Sequence, residues 1–301
     1  EIFARYPRCE IRTDGRRNAE AICRDGETRK GSGILADYVE AVWVTPAMDG
    51  LFTGPAAERR RFLDRLVLCF DPAFRALPGR FERAMQARNR LLSDGVTAAA
   101  QFEAFECVMA ETATAIAAAR NETVNALAET ISARRQRDPS SPFPWSTVRL
   151  DGTLEQELER AAAIDVEDGY AKRLALDRER DRGAGRTLEG PHRSDLMVVH
   201  GPKSTPARLC STGEQKSLLL GLTLAEAELI ARRHGGAAPL ILLDEITAHL
   251  DEHRRAALFS EILRLGAQAW MTGTDLIAFD ALAGRANIFQ VTNGQITPLG
   301  P

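Results

Sequence analysis

The sequence predicts an α/β protein with a long helical segment inserted in its middle. Strand and helix patterns alternate from about residue 185 onward, an order that is typical of α/β layering. Before that point, apolar side chains recur at helical spacing over residues 96–137. The 301 residues, of which 44% are hydrophobic, suffice for two cores or for one core that carries an appendage.

The N-terminal part is predicted to be β-rich and to end in a helix. Residues 1–50 contain short β-type segments, and residues 40–44 (EAVWV) predict a buried strand before a proline turn. Pro55 and Glu58 favour a helix start, so residues 55–66 are expected to be helical. We expect one face of that helix to pack on the strand, namely Phe62, Leu63, Leu66 and Val67.

The middle of the chain predicts long antiparallel helices. A helix over residues 96–137 would be about 60 Å long, and its apolar stripe comprises Phe102, Phe105, Met109, Ile116, Val124, Leu127 and Ile131. Prolines in residues 138–144 must end it, and a second helical pattern follows over residues 154–174. The two together predict an antiparallel helical arm, with an ordinary helical subdomain as the alternative.

Composition limits the classes of function that remain. The formal net charge of −3 excludes the overall basic character of a protein that coats nucleic acid, so any DNA contact must be local. The five cysteines form no CxxC pair, which argues against a zinc site or a disulfide framework and fits a reducing cytoplasm. No apolar run reaches the ~20 residues of a membrane helix, so no membrane partner is expected.

The strongest chemical motif is PLILLDE, residues 239–245. Four consecutive apolar residues predict a strand buried on both faces, with two acids at the edge where α/β sheets bind ligands. The motif resembles a Walker B sequence, in which Asp244 would hold Mg²⁺ and Glu245 would polarise the attacking water. An apolar strand that ends in two acids by coincidence is the alternative.

A second motif, STGEQK at residues 211–216, lies some 30 residues upstream and directly before a predicted helix. A serine and a glycine at a helix N-terminus allow backbone N–H groups to meet a phosphate. A plain helix cap is the alternative, because Glu214 follows Ser211 by three residues and completes a capping box. With PLILLDE downstream, the segment resembles the ABC signature loop, which implies ATP contacts from Ser211, Gly213, Glu214 and Gln215.

Two further segments follow in the order that ABC ATPases show. Residues 248–251 resemble the D-loop, which implies a nucleotide-side role for Asp251. Residues 269–275 resemble the strand and switch after it, where most ABC ATPases have a histidine and this chain has Thr274 or its neighbours. His249 could replace the missing base, or it could be an ordinary solvated side chain.

Three longer segments resemble one family of ABC ATPases. Residues 55–64 resemble the P-x-x-x-R-R-x-F-L-D segment of bacterial RecF proteins, and residues 88–92 fit their R-N-x-L-L. Residues 190–196 resemble their G-P-H-R-D-D-L, with Ser194 in place of an aspartate, and STGEQK replaces the commoner SQGQQR. The resemblance covers essentially all 301 residues, and another SMC- or Rad50-like ABC ATPase is the alternative.

This resemblance implies an ABC-type P-loop ATPase head with an inserted helical arm. It divides the chain into a first ATPase lobe (residues 1–70), the arm (71–184) and a second lobe (185–301). It further implies ATP and Mg²⁺ as ligands, and a homodimer that forms on ATP binding, each signature loop facing the partner's ATP. The expected role is DNA repair at single-stranded gaps in duplex DNA, with recombinase loading and RecO- and RecR-type partners.

One family motif is missing from the sequence. No G-x-x-x-x-G-K-[ST] loop occurs, and residues 26–33 (GETRKGSG), which are the nearest match, resemble a turn. Without this loop the chain has neither its lysine nor its N–H groups for phosphates, and a start at Glu1 without Met fits a truncation of roughly 80 to 100 residues of the family. The alternative is a structural or partner-binding module that hydrolyses nothing.

Three basic clusters are candidates for contact with DNA phosphates, a mode of binding that weakens steeply with salt. The clusters are Arg59, Arg60 and Arg61, the Arg80–Arg90 group, and Arg134, Arg135 and Arg137. The alternative for each is a solvated helix face.

Overall fold

A computed structural model describes residues 9–13, 19–24, 27–29, 40–246 and 250–300. The strands in these ranges are β1 (Cys9–Thr13), β2 (Ala19–Arg24), β3 (Glu27–Arg29), β4 (Ala41–Val44), β5 (Ser146–Asp151), β6 (Asp195–His200), β7 (Thr205–Pro206), β8 (Leu240–Leu243), β9 (Ala269–Met271), β10 (Ile288–Thr292) and β11 (Gln295–Gly300). The helices are α1 (Ala56–Phe70), α2 (Leu77–Ser93), α3 (Ala100–Arg137), α4 (Thr153–Leu158), α5 (Ala163–Leu176), α6 (Arg178–Ala184), α7 (Thr212–Arg233) and α8 (Glu252–Leu265).

A three-stranded parallel sheet in the order β4-β8-β9 carries the candidate site. The α/β alternation predicted from residue 185 onward is therefore confirmed, as is the strand predicted at residues 40–44. Because all three strands run the same way, the segments that follow them leave at one edge of the sheet.

The central strand β8 differs from its prediction. Ile241 and Leu243 are buried, but Leu242 is 37% exposed, so only one face of the strand is covered. The pleat directs alternate side chains to opposite faces, and Leu242 lies in register between Trp43 of β4 and Trp270 of β9, both also exposed. The prediction of a strand buried on both faces is therefore wrong for the described part of the chain.

Helix α1 confirms the helix predicted at residues 55–66. Its buried face consists of Phe62, Leu63, Leu66 and Val67. The helix contacts β6, α3 and α7, and its buried face shares one hydrophobic core with Val42 and Val44 of β4, so it packs on more elements than the strand alone. The helix thereby connects the first part of the chain to a second sheet, which is antiparallel and contains β6.

That second sheet has the order β5-β6-β7, and the sequence interpretation missed β5. Ser146 and Val148 are buried while Thr147 and Arg149 are exposed, which is the alternation of a half-buried strand. β5 pairs along its whole length with β6, so the sheet crosses the predicted boundary between residues 184 and 185. The domain limits stay a prediction.

Helix α3 confirms the long predicted helix and contacts α1, α2, α4, α5, α7 and β5. Ion pairs from Arg80 to Glu111 and from Arg88 to Glu106 show that α2 runs antiparallel to it. The second helical pattern, predicted over residues 154–174, is divided between the two shorter helices α4 and α5. Because side chains on most sides of α3 are buried, it forms a packed spine.

The β-rich character predicted for residues 1–50 is confirmed by the antiparallel sheet β1-β2-β3 and by β4. In the turn predicted at residues 26–33, β3 occupies Glu27–Arg29, and the other five residues lie outside the described ranges. None of the helices described here combines the length and the apolar character that crossing a membrane requires.

Candidate nucleotide-binding and hydrolysis site

Asp244 and Glu245 follow β8 directly at the carboxyl edge of the parallel sheet. The Asp244 N–H donates to the carbonyl of Val44 at 2.9 Å, which continues the ladder between β8 and β4 by one step. Both acidic residues are exposed. Glu245 has a φ of +50°, in the left-handed region, where a side chain costs about 1 to 2 kcal/mol.

Thr272, the residue after β9, holds the two acidic residues together. Its Oγ1 donates to Asp244 Oδ1 at 2.6 Å and accepts the Glu245 N–H at 2.9 Å. The sequence had pointed to Thr274 or its neighbours for this position. Thr274 is exposed and has no hydrogen bond to either acid among the described residues. We call Asp244, Glu245 and Thr272 the acidic edge.

The acidic edge fits a magnesium ion better than a transition metal. Carboxylate oxygens are hard ligands, and Mg²⁺ is usually held by one or two of them together with substrate phosphates and water. Asp244 is exposed at the sheet edge and engages one oxygen with Thr272. Within the described ranges no three His, Cys, Asp or Glu side chains cluster as a closed metal site would require.

The segment at residues 211–216 begins helix α7 and forms the capping box that the sequence suggested. Ser211 Oγ accepts the Glu214 N–H at 3.4 Å, and the Ser211 N–H donates to Glu214 Oε2 at 2.9 Å. Lys203 also contacts the Glu214 carboxylate. This contact and the hydrogen bond from the Ser211 N–H lower the pKa of Glu214 to about 2.

A cap and an anion site are compatible in this loop. The first backbone N–H groups of a helix have no acceptor within it, and Ser211 caps only the one at Glu214. Those of Thr212 and Gly213 therefore remain at the positive end of a 22-residue helix. Ser211 and Thr212 are exposed, so an anion can approach from outside the protein.

Gln215 faces the interior. Its Nε2 donates to the carbonyl of Cys210 at 2.8 Å, and its side chain is buried. This placement gives Gln215 a role in fixing the loop and argues against the predicted direct contact with nucleotide.

An ion pair connects α7 to the segment that follows β4. Lys216 Nζ lies 2.6 Å from Asp49 Oδ1, in the segment that follows β4. The Lys216 side chain is 2% exposed, so its charge is almost completely withdrawn from water. Lys216 ends the STGEQK motif, but its pairing with Asp49 could not be predicted, because 167 positions separate the two residues.

The predicted D-loop is described only in part. Ala248 and His249 lie outside the described residues, so the alternatives for His249 stay open. Leu250 is buried, and the Asp251 carboxylate accepts the Arg254 N–H at 2.9 Å and caps α8. The nucleotide-side role of Asp251 stays a prediction.

The arginines predicted to contact DNA have different environments. Arg59 forms two hydrogen bonds with the Asp195 carboxylate, at 2.7 and 2.8 Å, and donates to the carbonyl of Gly54. Arg60 donates to the carbonyl of Ser194 at 2.8 Å, while Arg61 is exposed. Arg59 is thus committed to the fold, and only Arg61 is fully available for a phosphate.

The arginine cluster at residues 134–137 is similarly divided between paired and exposed side chains. Arg134 pairs with Glu261 at 3.1 Å and is largely buried, so it too serves the fold. Arg137 and Arg264 contact the carboxylate of Glu228 in α7. Burial opposes ionisation of this carboxyl, but the two arginines hold its pKa at about 2. Arg135 lies over the ring of Trp145 at 4.0 Å and is otherwise exposed. Arg137 pairs with Glu228 but stays 37% exposed, so the prediction of DNA contact stays open for Arg135 and, less freely, for Arg137.

The segments that resemble RecF sequences dock against each other. Arg59 and Arg60 of α1 hold residues 194–195, and Arg120 of α3 joins Asp64 to the carbonyl of Pro191. Arg88 is fully buried and donates to Glu106, Asp181, Thr187 and the carbonyl of Leu174. We call Arg59, Arg60, Arg88 and Arg120 with these partners the arginine lock.

Solved structures with the same fold place the chain in a class of proteins. One is a structure of "the recombination mediator protein RecF-ATPrS in RecFOR pathway", with a TM-score of 0.76 and 20% identity over 93% of this chain and 73% of that chain. A second, of RecF-ATP, gives a TM-score of 0.74 at 19% identity over the same shares. The chain therefore belongs to the class of proteins with the fold of these RecF structures, and the acidic edge and the capped loop before α7 lie within that fold.

Sequence relatives identify the family within that class. The DNA replication and repair protein RecF of Mesorhizobium japonicum is 52% identical over 91% of this chain and 71% of its own length. Its counterparts in Brucella abortus and Rhizobium johnstonii are 53% and 48% identical, over 87% and 95% of this chain and 67% and 75% of their own lengths. No protein-family model matches. The chain belongs to the RecF family.

Proposed function

We propose that this chain supplies the hydrolytic half of a Mg²⁺-dependent ATPase that works as an ATP-driven dimer clamp on DNA. The observation that carries the proposal is the acidic edge, in which one hydroxyl holds the Asp244 carboxylate and the backbone of Glu245. The segment that contains Asp49 follows β4 at the same sheet edge as Asp244. Asp49 pairs there with Lys216 of α7, five residues after Ser211. A relative named for DNA replication and repair, at 52% identity, supports this role.

In the proposed reaction Asp244 holds Mg²⁺ and Glu245 polarises the water that attacks the γ-phosphate of ATP. The metal would neutralise charge on the phosphate oxygens. Both carboxylates are exposed at the sheet edge and therefore accessible to a nucleotide from solvent. Thr272 restrains Asp244 and the backbone of Glu245, so the water-activating group does not have to be ordered when substrate binds.

The signature loop is proposed to contact the ATP held by a second copy of the chain. The N–H groups of Thr212 and Gly213 and the Ser211 side chain lie at an exposed, electropositive helix end. ATP would thus lie between two protomers and stabilise the dimer, and loss of the γ-phosphate would let it open.

The biological role follows the names of the related proteins. We infer action in recombinational repair at single-stranded gaps in duplex DNA in the cytoplasm, where the clamp would help load a recombinase with RecO- and RecR-type mediators. The name of the solved RecF structure, in the RecFOR pathway, supports this assignment. Arg61, Arg135 and Arg137 would meet DNA phosphates, and binding should weaken steeply with salt.

The test uses the protein extended to the length of its relatives. Glu245→Gln should abolish hydrolysis, while ATP binding, dimerisation and DNA retention persist. Glu129→Gln, on an exposed position of α3, is the matched control and should hydrolyse ATP normally. Normal turnover by Glu245→Gln would remove the water-activating role from this residue.

A second proposal concerns these 301 residues alone. They contain no G-x-x-x-x-G-K-[ST] motif, which favours a segment that does not turn over ATP by itself and acts through partner contacts. Measured ATP hydrolysis by the purified 301-residue chain, sensitive to Glu245→Gln, would contradict this proposal.

A further inference from the structure

The switch position of the acidic edge is occupied by Thr272, which the sequence motifs did not identify. We propose that Thr272 is a positioning residue for ATP hydrolysis, whose single hydroxyl fixes the Asp244 carboxylate and the Glu245 backbone relative to each other. The inference rests on the function proposed above, because it presupposes that Glu245 activates water.

The hydroxyl contacts both acidic residues at once. It donates to Asp244 Oδ1 at 2.6 Å and accepts the Glu245 N–H at 2.9 Å. A hydroxyl has one donor and two acceptor positions, so one Thr or Ser side chain can satisfy both contacts. An alcohol is therefore the group that this position requires.

The backbone of Thr272 is itself fixed to the neighbouring strand. Its N–H donates to the carbonyl of Leu243 at 3.0 Å, and its carbonyl accepts the Ile246 N–H at 3.1 Å. These bonds continue the pairing of β8 with β9 past the ends of both strands. The position of the hydroxyl is thus set by the sheet.

Glu245 needs such a contact because its backbone lies in the left-handed region, at φ +50°. A residue other than glycine keeps this conformation only where its surroundings hold it there. One hydrogen bond changes a conformational equilibrium by about two- to tenfold, and bonds to charged groups change it more. The Thr272 hydroxyl is therefore strong enough to influence which conformer Glu245 adopts.

The direction of the Glu245 side chain depends on this conformer. A return to the right-handed region would rotate the Cα–Cβ bond and move the carboxylate away from its place at the sheet edge. A misplacement of about 1 Å can cost about 100-fold in rate. Because the same hydroxyl holds Asp244, a shift of the metal-binding carboxylate is also transmitted to the water-activating residue.

The kinetic test compares two substitutions at Thr272 in the protein extended to the length of its relatives. Thr272→Val keeps the shape and removes the hydroxyl, so kcat should fall about 10- to 100-fold with little change in nucleotide binding. Thr272→Ser keeps the hydroxyl and should stay within about threefold of the parent. Thr147→Val, on the exposed face of β5, is the control for the same exchange elsewhere on a strand.

Amide hydrogen exchange tests the geometry without turnover. In Thr272→Val the Glu245 amide loses its acceptor and should exchange about two- to tenfold faster. The Ile246 amide bonds to the backbone carbonyl of Thr272, so it should be equally protected in all variants and serves as the internal reference. Thr272→Ser should leave both amides protected.

The outcomes separate this inference from the proposed function. If Glu245→Gln is inactive but Thr272→Val hydrolyses ATP at the parent rate, the positioning role is overturned and the proposed function remains. If Glu245→Gln itself hydrolyses ATP normally, the proposed function fails. Loss of protection at Ile246 as well as at Glu245 in Thr272→Val would make Thr272 a general strand anchor and would also overturn the positioning role.

Discussion

The arginine lock and the acidic edge are built in opposite ways. In the lock, Arg88 is fully buried and its donors have carboxylate, hydroxyl and carbonyl acceptors. At the acidic edge, one hydroxyl holds the exposed Asp244 carboxylate and the backbone of Glu245, which lies in the left-handed region. The segments that most resemble RecF sequences thus build the frame, and the proposed hydrolysis site lies on an exposed edge with few supporting contacts.

This difference has a physical reason. A buried charge without partners is strongly destabilising, so the lock must be complete within the chain. A hydrolytic edge must instead leave carboxylate oxygens available for ligands from outside. Damage to the lock should therefore reduce stability, whereas damage to the edge should reduce turnover while the protein stays folded.

The largest effect on stability is expected at Arg88. Arg88→Met removes the guanidinium and leaves Asp181 and Glu106 buried, which should lower the free energy of unfolding by about 3 to 5 kcal/mol. Denaturant unfolding measures this change. Arg90→Met, at an exposed position of the same helix, should change stability by less than about 0.5 kcal/mol. Equal effects of the two substitutions would contradict the lock.

A smaller effect that depends on pH is expected at Glu226 of α7. Burial raises the pKa of Glu226 to about 8, while Arg65 opposes this shift. As pH rises from 4.5 to about 8, the unfolded chain loses this proton and the folded chain keeps it, so stability falls across that window.

Glu226→Gln should therefore be more stable than the parent at pH 7, by on the order of 3 kcal/mol. The two proteins should converge near pH 4, where the parent carboxyl is protonated in both states. Thermal unfolding at a series of pH values measures the difference. A parent that is the more stable protein at pH 7 would contradict a buried, neutral Glu226.

A still smaller and asymmetric effect is expected at the ion pair that connects the two halves of the site. Asp49→Asn leaves Lys216 buried without its carboxylate and should cost about 1 to 3 kcal/mol. Lys216→Met replaces the buried charge with an apolar chain of similar length, while Asp49 keeps its access to water, so stability should change by less than about 1 kcal/mol. Equal costs in denaturant unfolding would indicate that Lys216 is not desolvated.

The sequence predicted elements with regular periodicity well. The helices α1 and α3 and the strands β4 and β8 were located to within a few residues, because hydrophobic spacing and caps report local structure. β5 was missed, because its short alternation follows three prolines that favoured a loop. The burial of β8 was overestimated, because four apolar residues in a row do not show which face is covered.

Contacts distant along the chain could not be predicted. Arg59 was expected to contact DNA because it belongs to a basic cluster. Its carboxylate partner Asp195 lies 136 positions away, so the sequence could not show that this arginine is paired. Thr272 carries no recognisable pattern, and its role is visible only where β9 brings it beside Asp244. Asp244, Glu245, Ser211 and Gly213 were predicted as site residues because their motifs join a strand end or a helix start to a charge, and their roles stay predictions.

The acidic edge of one protomer is proposed to act on ATP together with the signature loop of another. Mixing two inactive variants, Ser211→Arg and Glu245→Gln, in chains extended to the length of their relatives tests it directly. Each mixed dimer has one site with an intact acidic edge and an intact signature loop, so ATPase activity should return to about one quarter of the parent rate. Mixed dimers that form on ATP but hydrolyse none would contradict the account.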